Sequence, residues 1–151
     1  MNREDSLNDM LEIKRSYRAK IDDVFDALTR PEIMAKWFYG MEVGSARVES
    51  DFRVGGQYAI HMYGPNGDPA QCGDHVPHGE YLAIDCPNEI AFTWISEGFV
   101  DYSVVTISLK TIGDHVELTL RHELPKDKVD LHLEGWTGCL RNFERNCFLC
   151  A

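Results

Sequence analysis

His122 closes the run Val116, Leu118, Leu120, His122, whose alternate residues share one face of a strand. An imidazole at that place points inward, where it can contact a ligand or relay a proton near neutral pH. Cys72, His75 and His78 stand at steps of three with Asp74 between them. They offer three ligands to a zinc ion, although no standard zinc spacing matches, so no metal or cofactor is assigned. Cys147 and Cys150 form a C-x-x-C at the end of an expected helix, where the dipole disfavours the thiolate, so both read as small apolar side chains. None of the serines at 6, 16, 45, 50, 96, 103 and 108 sits in a nucleophile elbow. Glu80 with Glu123 or Asp101 would suit acid–base work inside a cavity, but glutamates that alternate along strands usually face water. Gly55-Gly56 is too short for a phosphate loop and reads as a bend or bulge opening a strand.

The elements that would position these groups follow from periodicity. Residues 1–10 read as a polar leader and 11–151 as one domain, beginning with a strand over Leu11–Lys20. Asp22 or Asp23 caps a short helix, and Pro31 opens another that buries Ile33, Met34, Trp37 and Phe38. Six β-rich runs follow, namely 46–53, 57–63, 79–84, 90–96, 102–111 and 115–122, separated by Gly-, Pro- and Asn-rich turns. Short turns make them an antiparallel meander, and about seven strands is the size at which a sheet begins to curl. Beyond Pro125 the period changes. Val129, Leu133, Trp136, Leu140, Phe143, Cys147 and Cys150 form a stripe at steps of three and four, predicting a helix from about Asp127 to Phe148.

The fold class is therefore α+β, a curled antiparallel sheet wrapped around a long C-terminal helix. A bent sheet touches such a helix along its middle and diverges at the ends, leaving a gap that side chains fill or a ligand occupies. Trp37, Phe52, Tyr58, Ile60 and Tyr81 are the candidate lining from the first half of the chain. Phe92, Trp94, Val105, Ile107, Leu118, Leu120 and His122 come from the later strands, and Trp136, Leu140 and Phe143 from the helix. Tyr58, Tyr81 and His122 would orient a ligand. The buried indole N–H of Trp136 requires an acceptor.

Composition narrows the partners. Fifteen Lys and Arg against twenty-five Asp and Glu give a net charge of −10, which disfavours nucleic acid and anionic membranes. No apolar run reaches the ~20 residues that span a bilayer, so membrane insertion is not expected. The polar start MNREDSLNDM does not read as a secretion signal, and five irregularly spaced cysteines read as reduced thiols in the cytoplasm.

The order of elements, with DFRVGGQY, HGEYLAID, NEIAFTW, VELTLRHE and HLEGWTGCLRNFE, resembles the START-like (SRPBCC, helix-grip) superfamily. Within it the chain is most similar to the branch related to the activator of heat-shock protein 90 ATPase. The resemblance spans about Leu11 to Phe148 and rests most on Arg53-Val54-Gly55-Gly56 and on Gly135-Trp136. It implies a helix-grip fold with a cavity of the kind used for lipids, polyketides and other apolar molecules, and it implies no reaction. Three functions stay open on this reading. The first is a binder of a small apolar or aromatic ligand. The second is a cyclase-, aromatase- or dehydratase-like enzyme using the same cavity. The third is a protein-binding module whose partner is a chaperone or a second copy of the chain.

Overall fold

Val116, Leu118, Leu120, His122 and Leu124 are all fully shielded from solvent, so the alternation in this segment translates directly into one inward face. The segment is β7 (His115–Pro125), paired on one side with β1 (Asn8–Tyr17) and on the other with β6 (Val100–Ile112). This computed structural model describes residues 8–39, 44–64, 76–96 and 100–148. The remaining strands are β2 (Ser45–Ser50), β3 (Gln57–Tyr63), β4 (His78–Asp85) and β5 (Glu89–Ser96). All pairings are antiparallel, and the sheet order is β1-β7-β6-β5-β4-β3-β2. The meander thus has β2 at one edge, while the first strand closes on the last. β1 begins at Asn8, before the expected Leu11, because β7 runs on to Pro125 and offers Asn8, Asp9 and Met10 partners.

Register shifts between Tyr81 and Ala83 and between Trp94 and Ser96 break the ladders of β4–β5 and β5–β6. Such irregularities bend strands and add to the curl. The turn before β3 holds Gly55 at φ +87°, and the Gly55 N–H donates to the Tyr81 carbonyl at 2.9 Å. A Cβ on Gly56 would lie 1.9 Å from the Asp51 carbonyl oxygen. Gly55-Gly56 is therefore the bend read from sequence.

Two short helices, α1 (Ile21–Thr29) and α2 (Pro31–Met34), follow β1 and bury Val24, Phe25, Leu28 and Met34. The C-terminal segment is a 3₁₀ turn (Lys126–Lys128), α3 (Val129–Phe143) and a π turn (Glu144–Phe148). The predicted helix is present, but its apolar stripe is buried only from Trp136 onward, through Cys139, Leu140 and Phe143. Leu133, assigned to that stripe, is 40% exposed, while His132 beside it is turned inward. No described helix is long and apolar enough to cross a membrane.

Candidate functional site

Of the fifteen side chains proposed as a lining, thirteen are buried in one hydrophobic cluster, Phe52 is half-buried against it, and His122 is buried beside Trp94 and Trp136. They pack on one another more closely than a preformed hollow would require. Leu28, Met34, Trp37, Phe38, Tyr58, Tyr81, Ile90, Phe92 and Ile107 enclose only about 10 Å³, enough for one water molecule. Among the described residues, aromatic rings fill this space, which lies between α1, α2 and the sheet. Tyr58 meets Phe92 edge-on at 5.4 Å, and Phe52 meets Tyr81 edge-on at 5.0 Å. The two phenols named as ligand contacts are engaged internally: Tyr58 donates to the Thr93 carbonyl at 2.5 Å, and Tyr81 Oη lies 2.7 Å from Ser50 Oγ. Burial holds both phenols above their ordinary pKa.

At the α3 side of this core lies a buried polar chain. Trp136 Nε1–H donates to His122 Nδ1 at 3.1 Å, and His122 Nε2 lies 2.7 Å from Ser103 Oγ. An indole nitrogen only donates, so Nδ1 is the lone-pair nitrogen and Nε2 carries the proton. Nε2–H therefore donates to Ser103, whose hydroxyl donates in turn to the Trp94 carbonyl at 2.9 Å. The chain runs from indole to imidazole to hydroxyl to carbonyl, with every member satisfied. The acceptor anticipated for Trp136 is thus His122.

This direction decides the chemistry. A nucleophilic serine gives its proton to an imidazole acceptor, whereas here the imidazole donates to the serine. Burial first, and the neighbouring His132 second, lower the His122 pKa to about 3, so the ring is neutral at physiological pH. His122 thus has both ring nitrogens engaged, one by Trp136 and one by Ser103. His132 is different. Its ring meets that of His122 edge-on at 5.5 Å, and its Nδ1–H donates to the Lys128 carbonyl at 2.9 Å, leaving Nε2 as an acceptor. It is half-buried, so it stands between solvent and the His122 end of the core. Burial also lowers its pKa.

Other candidates separate. Glu80, Glu123 and Asp101 are exposed on three strands, so the carboxylate pair does not form. His78 lies at the start of β4, half-buried, while Cys72, His75 and Asp74 fall outside the described residues. Among the described residues no cluster of His, Cys, Asp and Glu is arranged to hold a metal. Cys147 is half-buried on the helix, and Cys150 lies outside the description. Ser103 and His132 were missed as site residues. A groove of about 920 Å³ between α1, the β6–β7 turn and the C-terminal π turn was also missed; it is open to solvent and lined by charges of both signs, including Arg18, Lys36, Asp26 and Asp114. It encloses nothing, and its lining is far less apolar than the interior.

A family model described as Activator of Hsp90 ATPase homolog 1-like protein matches residues 18–147. Among solved structures, protein CV1439 from Chromobacterium violaceum superposes with a TM-score of 0.79 at 23% identity, covering 91% of this chain and 96% of its own. CalU16 from Micromonospora echinospora gives 0.71 at 24% identity, covering 90% and 74%. PFC0360w, an HSP90 activator from Plasmodium falciparum, gives 0.68 at 23% identity, covering 89% and 93%. No match was found among curated proteins. These likenesses carry the helix-grip fold, and they do not carry a ligand or a partner.

Proposed function

The chain belongs to the Activator of Hsp90 ATPase homolog 1-like family, and on that footing we propose that it binds a small apolar or aromatic molecule between α3 and the inner face of the sheet. One observation carries this reading. The aromatic interior contains a fully buried imidazole bonded to a buried hydroxyl, and the half-buried ring of His132 connects that polar chain to the surface. Polar groups of this kind cost stability in a core that only has to be filled, because each must find a partner away from water. A wall that orients a ligand is a use that offsets the cost. Affinity comes from apolar contact, at about 25 cal/mol per Å² removed from water.

Catalysis finds less support, since His122 has both nitrogens committed and Ser103 is not activated. A protein partner rests on the fold shared with the HSP90 activator, at 23% identity. The exposed large apolar side chains are spread over β1, the β2–β3 turn, β4, both ends of β6 and the first half of α3. The test is a thermal-shift screen with fatty acids and flat aromatic compounds, followed by native mass spectrometry of freshly purified protein. A compound that raises the melting temperature and remains bound in the gas phase supports the reading. A screen in which nothing shifts the melting temperature overturns it.

A further inference from the structure

β1 and β2 are the two edges of the sheet, and they are finished differently. β2 is six residues long, and its two charged side chains, Arg47 and Glu49, bond to each other. β1 is ten residues long and pairs with β7 in one unbroken register, without proline or bulge. At about 3.3 Å per residue it presents a regular free edge of about 33 Å. Such an edge is a template for another strand.

Strand alternation fixes which main-chain groups lie on that edge. Leu109 N–H donates to the Asn88 carbonyl, so odd-numbered residues of β6 face β5 and its even-numbered residues face β7. Carried across the β6–β7 and β1–β7 registers, this leaves Met10, Glu12, Lys14 and Ser16 with their N–H and C=O groups on the free side. Two side-chain bonds agree. Met10 N–H donates to Asp9 Oδ1 at 2.9 Å, and the Lys14 carbonyl accepts from Arg15 Nη1 at 2.9 Å. Both are exposed bonds between chain neighbours, made where an adjoining strand would bond.

The side chains of β1 complement a second copy of themselves. Consider two antiparallel β1 strands whose two-fold axis passes between the two Ile13 residues. Glu12 of each then lies opposite Lys14 of the other, and Met10 opposite Ser16. Asp9 and Arg15, released from their local bonds, lie diagonally across on the other face, within reach of each other. Sliding either copy by two residues sets Glu12 against Glu12 or Lys14 against Lys14, and like charges directly opposite are destabilising. A slip of one residue opposes the free main-chain groups to ones already bonded to β7. The charges thus select one register. Lys14 has no ion pair among the described residues, and Glu12 is held in place by Arg121 at 2.7 Å.

We propose that β1 is an interface for a second copy of this chain, the two copies joining edge to edge through antiparallel β1 strands in this register to make one continuous sheet. The contact is smaller than a permanent interface, so dimer exchanges with monomer and forms as concentration rises. The net charge of −10 repels the copies at long range. Sedimentation equilibrium is therefore run at physiological ionic strength, where that repulsion is screened beyond about 8 Å. Protein concentrations from about 10 µM to about 1 mM cover the range of a weak dimer.

Wild type is expected to approach twice the monomer mass across this range. Lys14→Glu and Glu12→Lys should each weaken dimerisation about tenfold or more, by setting like charges opposite each other. Mixing the two variants should restore it, because every Glu12–Lys14 position then pairs opposite charges again. Amide exchange followed by NMR needs no variant, and it decides the matter should Glu12→Lys not fold beside Arg121. The amides of Glu12, Lys14 and Ser16 should gain protection as concentration rises, while those of Leu11 and Ile13, already bonded to β7, change far less. A monomer throughout, a dimer indifferent to either charge reversal, a mixture of folded variants that stays monomeric, or protection that misses β1 overturns the proposal.

Discussion

Trp136 donates its indole proton to Nδ1 of His122 across 3.1 Å, and this one bond sets the tautomer of a fully buried imidazole. Everything downstream takes its direction from it: Nε2–H to Ser103, and Ser103 to the Trp94 carbonyl. Ser103→Ala leaves His122 Nε2–H and one carbonyl lone pair without a partner in a dry site. The expected loss is about 1–3 kcal/mol of unfolding free energy, with Trp136→Phe costing a similar amount by stranding Nδ1. Urea denaturation of both single variants and the double variant checks this. Effects that simply add would show that the chain is not coupled through His122.

Acid should weaken the fold through the same residue. The folded His122 pKa is about 3, against an ordinary value of 6.5, because burial and His132 oppose the charged ring. Between those values the unfolded chain binds the proton and the folded one does not, so stability rises with pH. His122 leaves stability undiminished above pH 6.5 and removes it progressively as pH falls towards 3. Going from pH 7 to 5 costs about 2 kcal/mol at this residue. His132, also lowered by burial, adds in the same direction. The pH 7 to 5 difference in unfolding free energy should shrink by about that amount in His122→Gln. An unchanged difference would mean that His122 takes up its proton in the folded state.

The inward placement of His122 was legible because five alternate residues of β7 leave no doubt about the face. Ser103 was not, because buried Val100 and buried Ser103 are three residues apart, across the irregularity that shifts the β5–β6 register. Alternation read backwards from Val105 would have found it. On the helix, residues three and four before Trp136 both suit an inward stripe by spacing. The apolar Leu133 was the natural choice, yet the bond from Trp136 to His122 turns the helix so that His132 faces in. The closed interior was beyond sequence reasoning for a different reason. Free volume there depends on how the rings of Trp37, Phe38, Tyr58, Tyr81 and Phe92 pack on one another, and neither composition nor period encodes a rotamer.

The bend at Gly55-Gly56 separates two kinds of glycine requirement. Gly56→Ala drives a Cβ to 1.9 Å from the Asp51 carbonyl oxygen, which is backbone and cannot step aside. Relief would break Gly56 N–H to the Arg53 carbonyl, which closes the turn, or Tyr81 N–H to the Gly56 carbonyl, which holds the turn to β4. A loss of about 2 kcal/mol or more is expected. Gly55→Ala meets open space and pays only for φ +87°, about 1 kcal/mol. Thermal and urea melts of the two variants give the order directly, and a Gly55 variant less stable than the Gly56 one would contradict it.

Thiol reactivity reads the packing of α3 without altering it. Cys139 lies on the buried stripe, and burial pushes its pKa up to about 12 from the ordinary 9.0, with Arg141 opposing only weakly. At mildly alkaline pH this leaves about a thousandth of the thiolate of a free cysteine, before steric exclusion is counted. Cys86 is exposed on the β4–β5 turn. Iodoacetamide should therefore label Cys86 within minutes while Cys139 stays unmodified until denaturant is added, as followed by peptide mass mapping. Cys147, half-buried and also shifted upward by burial, should fall between the two. Because α3 carries Trp136 and Cys139 on neighbouring turns of one face, labelling of Cys139 at the rate of Cys86 would mean that the helix lifts from the sheet. The bond from Trp136 to His122 would then be open in solution for much of the time.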